Sequence, residues 1–556
     1  MTEGPRADVA GRLVDGAVLR AWLGCAVPAL EAARERIDAV NVFPVADGDT
    51  GTNVLLTVRG AADAVGALDT AAPATDVLRA LSRGALLAAR GNSGVILSRY
   101  LGGLAEAPDV ALPEALRRAA QAARTAVHEP EDGTVLTVAA RVAAVASEAA
   151  DPTGTGETPG GEVAALAAGV DAGRADLAAI SAAHPVLRSA RVVDAGACAL
   201  LVLLDALVVA LDGREGPVDV AWLAEHAAAG PAPEADPADR AFEVMVVLHA
   251  ADPEAAAGLR VALAAVGAAV AVVEDHAVLT AHVHADDPVA VLDAVGACRG
   301  SWTASVRTLV GAPRPVVACT AHPALAGALA LAGSVALVLP DGVPAPDVRA
   351  AVLRAAQDAL APARTPDATH GPVTPGAATP GAITPGAGRP GPDRPDASPA
   401  PVAVLRGDRL AADALDALDP AWSVPGWASD DLRVLAGAVA GPDVEPVTAV
   451  AADSGAALAA AERLLTVDPA PGRLVVLLGP GTREDDGLDL ADRLGALHAG
   501  LPVTVAGPVL TGPAFAIAVT PAPARPAARD TWATPAATPA ATPAATSSDT
   551  RAEARP

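Results

Sequence analysis

The first 210 residues leave this chain little freedom of fold. From Val9 to about Leu211, alanine and leucine recur at helical spacing, arginine falls on outer faces, and the breaks are short Gly, Asp or Pro interruptions. The pattern predicts an all-α block. Within it "GRLVDGAVLRAWLGC" sets Leu13, Ala17 and Val18 on one side with Leu19, Trp22 and Leu23 near them. "PALEAARERIDAVN" predicts a helix opening with Pro28 at its first position. "DPTGTGETPGGE", Asp151 to Glu162, continues neither neighbouring helix and predicts a mobile loop. Apolar content is 52% but aromatics reach only 2%, so cores must be built from small aliphatics.

After "AAAGPAPEADPAD" the texture changes to alternation. "FEVMVVLHA" and "HAVLTAHVHA" predict strands and "DPEAAAGLRVALAAVG" a helix between them, giving a small α/β unit over residues 236–312. "PRPVVACTAHPALAGALALAGSVALVLPDG" predicts strand, helix, strand and opens a C-terminal α/β unit over 313–360 and 403–520. Residues 361–402 interrupt it with a Pro/Gly linker carrying an imperfect T-P-G-A repeat, and 521–556 predict a disordered tail. The expected fold class is multidomain: an all-α domain over 1–215, followed by α/β (α+β) middle and C-terminal domains.

Charge and composition exclude several functions. With a formal charge of −26 the chain lacks the clustered positive charge that drives nucleic-acid binding, and an anionic membrane surface is disfavoured on the same ground. It contains no lysine, so all 39 basic residues are arginine. A Walker lysine, a protein-kinase lysine and a Schiff-base lysine are therefore impossible. Any phosphate handled here must be neutralised by metal, arginine or backbone amides. Cys25, Cys198, Cys298 and Cys319 lie far apart without a C-x-x-C pair, which fits reduced thiols. The N-terminus lacks the features of a signal peptide, and the apolar run from Ala197 to Leu211 is interrupted by Asp205 and short for a bilayer. The expectation is a cytoplasmic protein without an integral membrane segment.

The loop "NVFPVADGDTGTN", Asn41 to Asn53, carries the most chemistry. Asp47 and Asp49 flank Gly48, and Gly51 and Asn53 follow, so several oxygen ligands share a tight turn that a ligand can approach closely. Hard oxygen donors suit Mg²⁺, Mn²⁺ or Ca²⁺. An EF-hand fails: counted from Asp47, Gly51 takes the fifth position and Val58 the twelfth, where a bidentate Glu is needed. An ordinary Asp/Gly turn between helices remains open on spacing alone. "AARGNSGVILSRYLGGL" adds a G-N-S-G turn entering an apolar helix, where amides and a hydroxyl can meet an anion. "HEPEDGTVLTVAARV" and "SARVVDAGACALLVLL" add two more glycine-bearing loops before helices. All could gather at one end of a helical bundle.

These motifs, "NVFPVADGDTGTN", "ARGNSGVILS", "EDGTVLTV" and "VVDAGACALLVLL", occur in an order and spacing that resembles the bacterial fatty-acid kinase family over about 200 residues. That family opens with a dihydroxyacetone-kinase L-type nucleotide-binding domain. The resemblance implies an antiparallel helical barrel holding MgATP at one mouth, and transfer of the γ-phosphoryl to a fatty-acid carboxylate presented by a separate fatty-acid-binding protein. It implies Asp47 and Asp49 as catalytic magnesium ligands assisted by Asn41 or Asn53, with Asn92, Ser93 and Gly94 receiving phosphates. Thr134 would lie beside the phosphates, and Asp194 and Gly196 would border the adenine. Arg90 could supplement the metal, or lie exposed. Where the family reads D-A-G-G-x-G-L this chain has "DAGACAL", so Ala197 and Ala199 could narrow the pocket or repack a helix start.

Downstream, "TAHVHADDP" puts His282 and His284 two apart on a predicted strand, hence on one face. Paired imidazoles suit a second metal such as Zn²⁺, and equally a structural role. The resemblance implies a metal or acyl-protein-docking role, but the cysteine the family often carries on the preceding strand is replaced here near Ala241. Expected ligands are ATP and Mg²⁺; expected partners are an acyl-loaded fatty-acid-binding protein and, as a candidate assembly, a second copy in a homodimer. Dihydroxyacetone (glycerone) kinase activity and a catalytically weak nucleotide-binding scaffold are the alternatives.

Overall fold

The computed structural model describes residues 15–150, 161–214, 216–226, 241–249, 255–275, 278–309, 314–360, 402–406, 430–441, 445–467, 471–498, 500–509 and 513–521, with single positions at 422, 425 and 428. Leu13, the 151–160 loop, linker residues 361–401 and the tail from 522 onward lie outside them.

Up to residue 214 the described chain is helical: α1 (Gly16–Ala39), α2 (Thr50–Gly66), α3 (Ala74–Ala88), α4 (Gly91–Ala105), α5 (Leu112–Ala126), α6 (Val135–Ala150), α7 (Gly161–Ser181), α8 (Pro185–Ala190) and α9 (Ala195–Leu211). From α1 to α7 each helix packs on the next, and α9 packs on α7, α6 and α1, so the set closes on itself. The apolar run that is α9 is buried on nearly every side, as a helix without a polar face must be. Its one charge, Asp205, is met by Arg174 at 2.8 Å. The Trp22 indole donates to the Leu203 carbonyl at 2.9 Å and ties α1 to α9.

Pro28 does not start a helix; it lies inside α1. Leu19, Trp22, Leu23 and Ala26 before it and Ala29, Leu30, Ala33 and Ile37 after it are all buried in one core. That continuous apolar contact outweighs the lost backbone bond and the crowding of the Gly24 carbonyl. Ala17, expected beside Leu19, is exposed. By length and composition α1 could cross a membrane, but its apolar side is packed within the helical domain.

Beyond residue 240 come β1 (Phe242–His249), α10 (Ala255–Val266), β2 (Ala268–Asp275), β3 (Val278–Ala285), α11 (Pro288–Gly296), β4 (Ser301–Thr308), β5 (Val316–Thr320), α12 (Pro323–Leu331), β6 (Val335–Val338), α13 (Ala345–Ala359) and β7 (Ala403–Leu405). Their strands form one seven-stranded sheet in the order β2-β3-β1-β4-β6-β5-β7. Strands on both sides of residue 312 thus share a sheet, joined where Ala304 to Val306 of β4 pair antiparallel with Ala336 to Val338 of β6. A second sheet, ordered β10-β9-β11-β8, is built from β8 (Val447–Ala451), β9 (Pro471–Leu478), β10 (Val503–Ala506) and β11 (Phe515–Pro521).

Strand alternation decides which side chains meet the helical domain. In β1 and β3, Val244, Val246, Leu248, Leu279, Ala281 and Val283 enter the sheet's own core. The opposite face carries Glu243, Met245, Val247, Thr280, His282 and His284. There Val247, Ala271, Val273 and Val278 pack with Leu86, Ala89, Val95 and Ala126 in a cluster shared by sheet and helices. The histidine strand is therefore pressed against the helical domain.

Candidate functional site

The loop between α1 and α2 is held open by its own side chains. The Asn41 amide donates to the Asp47 carboxylate and to the Val45 carbonyl, while Thr50 donates to the Asn41 oxygen at 2.7 Å. Gly48 stands at φ +65°, a left-handed turn between the two aspartates that only glycine adopts freely. Asn53 donates to Asp49 Oδ1 at 2.8 Å. Asp38, at the end of α1, accepts from the Thr52 amide at 3.1 Å and hydroxyl at 2.9 Å and anchors the start of α2. A Cβ on Gly51 would lie 2.5 Å from the Arg34 carbonyl, so this close helix approach requires glycine. Burial, opposed by the Thr52 and Gly51 hydrogen bonds, pushes Asp38 up to about 6.

Three more helix starts open on the same space. Gly91, Asn92 and Ser93 form the first turn of α4, Thr134 precedes α6, and Asp194 caps α9 by accepting from the Ala197 amide at 2.7 Å. Unpaired amides at such ends carry partial positive charge and favour anions. Gly94 faces α2 instead: a Cβ there would lie 2.6 Å from the Thr57 hydroxyl, and its amide donates to the Arg90 carbonyl. His184 bonds Glu131 at 2.7 Å, and its ring lies 4.1 Å from that of Phe43.

The middle sheet supplies the far wall. His282 Nδ1 lies 2.9 Å from the Asn92 side-chain oxygen, so the histidine strand bonds the G-N-S-G turn directly. The His282 and His284 rings meet edge to face at 4.7 Å. Burial and the neighbouring His282 push His284 down to about 3, so it is neutral at pH 7. Burial opposes ionisation of Glu243, yet Arg307, with His282 and His284, holds it well below the usual carboxylate range. Arg307, on β4, forks between Glu243 and Asp49 Oδ2, the latter at 2.5 Å.

Between these elements lies a cavity of about 140 Å³ lined by Asn41, Asp47, Asp49, Asn53, Asn92, Ser93, Thr134, Asp194, Gly196, His282 and His284 among others. The structure thus brings together every site residue expected from the sequence except Gly94. Among the described residues six carboxylates line the cavity, Asp47, Asp49, Glu129, Glu131, Asp194 and Glu243, and no arginine does. Arg90, expected beside the metal or in solvent, is at neither place. It is buried, 4% exposed, and ion-paired to Asp358 of α13. Ala197 packs inside the helical core, while Ala199 lines a smaller cavity that shares Ser93, Ile96, Val135, Leu136 and Gly196 with this one.

Two aspartates and flanking side-chain oxygens fit Mg²⁺, which keeps water and phosphate oxygens for its other positions. Zinc fits less well. Among the described residues no group of three or more His, Cys, Asp or Glu is placed to hold a metal ion. The carboxylate paired with His282 is Glu243 at 3.4 Å, and Arg307 already pairs with it.

Asp194 gives the site a pH signature. Burial pushes its carboxyl up to about 6, against the Ala197 and Val135 amides and His184. Its folded value lies above the unfolded value of about 3.9, so the folded state holds the proton more tightly, and stability falls as pH rises from about 4 to about 6. Asp194→Asn keeps the cap oxygen without the charge. Its melting temperature should match wild type at pH 4 and exceed it at pH 7, a gain on the order of 2 kcal/mol. Equal offsets at both pH values would disprove the shift.

Glu243, Arg307, Glu131 and His184 were missed by sequence reasoning. Glu243 and Arg307 left one signal: each is a charge on an otherwise alternating apolar strand. Asp38 left none, because a polar residue at a helix end is ordinary.

Residues 44–209 match the DAK2 domain, and residues 239–301 match the FakA-like middle domain of fatty acid kinase. Protein YloV of Bacillus subtilis is 32% identical over 301 residues, covering 51% of this chain and 53% of YloV. An uncharacterized protein of Staphylococcus saprophyticus is 31% identical over 185 residues, 32% of each chain. Another, of Staphylococcus aureus, is 38% identical over 124 residues, 21% of this chain and 22% of the relative. The matches span about half of YloV and a third or less of the staphylococcal proteins. The solved dihydroxyacetone kinase of C. freundii is 17% identical, with a TM-score of 0.28 over 37% of each chain, too slight a likeness to bear on the fold. The two matches follow one another on one chain, so the protein carries a DAK2 domain followed by a middle domain similar to that of fatty acid kinase.

Proposed function

We propose that the chain is an ATP-dependent kinase that transfers the γ-phosphoryl of MgATP to a fatty-acid carboxylate presented by a separate fatty-acid-binding protein, giving acyl phosphate and ADP. One observation carries this reading: the Asp47–Gly48–Asp49 turn and the first turn of α4 face each other across one cavity, walled by the histidine strand. Six carboxylates would repel ATP unless cations intervene, and phosphoryl transfer needs little beyond positioning and charge neutralisation.

Asp47 and Asp49 would hold magnesium, which would supply positive charge to offset that of the phosphates. Asn41 and Asn53 keep the two carboxylates oriented. The α4 amides and the Ser93 hydroxyl bind phosphate oxygens with Thr134 beside them, and Asp194 and Gly196 border the adenine. An acceptor carboxylate oxygen forms the new bond to phosphorus as the bond to the ADP oxygen breaks. The acceptor is already ionised near neutral pH, so no base has to remove a proton.

Incubating the full chain with MgATP and an acyl-loaded fatty-acid-binding protein should release ADP and form acyl phosphate, trapped as the hydroxamate by hydroxylamine. ADP release that requires dihydroxyacetone and ignores the acyl protein would replace this reading with the glycerone-kinase one. No nucleotide turnover with either acceptor would end both.

A further inference from the structure

Among the described residues, Arg307 is the cation that touches the aspartate loop, and it comes from the middle domain. Its fork grips Asp49 Oδ2 at 2.5 Å and Glu243 at once, with the side chain 17% exposed and Glu243 3% exposed. Asn53 holds the other Asp49 oxygen. Arg307 does not line the cavity; it stands behind the two carboxylates that do. It therefore acts on a ligand by its charge across them rather than by contact.

An acidic cavity of this kind should draw a divalent cation out of solution on its own. A fixed guanidinium in contact with Asp49 opposes that, because like charges a few ångströms apart repel strongly at low local dielectric. Phosphates entering with the metal supply the missing negative charge and reverse the balance. We propose that Arg307 is a positioning residue whose counter-charge keeps free divalent metal off Asp49 and reserves the site for a metal–nucleoside triphosphate complex. This rests on the reading of Asp47 and Asp49 as metal ligands given above. It also makes the nucleotide site a two-domain site, because the charge that sets its selectivity is carried on β4.

The probe is Mn²⁺ alone, retained by the full chain in equilibrium dialysis and read by electron paramagnetic resonance. Glu243→Gln is the reference, since removing Arg307 from wild type would leave two buried carboxylates unpaired. Glu243→Gln/Arg307→Gln should bind free Mn²⁺ at least about tenfold more tightly than Glu243→Gln. A fold merely loosened by the change would bind metal more weakly. Arg307→Lys, which keeps the charge, should stay within about threefold of wild type. Equal or weaker Mn²⁺ binding by the double variant, in protein whose circular dichroism is unchanged, overturns the proposal. If wild type retains Mn²⁺ with ATP and loses it on Asp49→Asn, the metal-site reading survives that result and only Arg307's role falls. If no variant retains Mn²⁺ with or without ATP, both fall.

Discussion

Asp47→Asn/Asp49→Asn is expected to lower phosphoryl transfer by roughly 10³-fold or more while leaving the protein folded, an effect like that of deleting a dominant electrostatic contact to transferring charge. Asparagine at 49 still offers an oxygen to Asn53, and Arg307 still pairs with Glu243, so neither change leaves a buried charge alone. What disappears is negative charge at the turn that faces the α4 amides. Calorimetric titration with MgATP should show binding in the wild-type full chain and a loss on double substitution. The titration needs the full chain because His282, His284 and Glu243 wall the cavity. Unchanged binding would make the loop an ordinary turn.

The second large effect is structural and lies at the seam between the domains. Asp358→Ala should destabilise the protein by about 3–5 kcal/mol, because removing one partner of a buried pair strands the other. Arg90 reaches Asp358 from α4's cap position and also holds the Gln357 side chain at 3.3 Å. Arg354 stands beside them: burial, then Arg90, pushes it down to about 10, while Asp358 and Asp347 oppose the fall. Without Asp358 two neighbouring guanidinium groups lose a shared counter-charge. A drop of roughly 10 °C in the first unfolding transition is expected. Asp358→Asn should recover little, since it restores shape without charge. If Asp358→Ala melts like wild type, the pair contributes nothing to domain docking.

How much of this was legible differs element by element. The helical block, the histidine strand and the strand-helix-strand run from Val316 could be read because hydrophobic period alone fixes them. Pro28 misled because a local rule about helix starts was applied where α9 supplies a continuous apolar partner that no local window contains. Arg90 misled in the same way: its partner lies 268 residues away on α13. The aspartate and G-N-S-G loops could be named from residue type, but nothing in the sequence sets Glu243 opposite His284, which is a matter of strand register. Arg307 was out of reach for a further reason. Its meaning depends on two separate pairings, β4 with β1 and the sheet with the helical domain.

The junction of β4 with β6 carries a consequence for how such chains can diverge. Three residue pairs, Ala304 with Val338, Ser305 with Leu337 and Val306 with Ala336, stitch the middle region to the strands beyond residue 312. Recombination between relatives at this point would preserve both sequence modules and still fail if the incoming strand were offset by one residue, because every side chain would change face. A cut in the same place would turn β4 into a raw edge, open to pairing with other molecules. The boundary drawn near residue 312 from the sequence is thus a poor place to exchange parts, and its neighbours on either side are expected to have been inherited together.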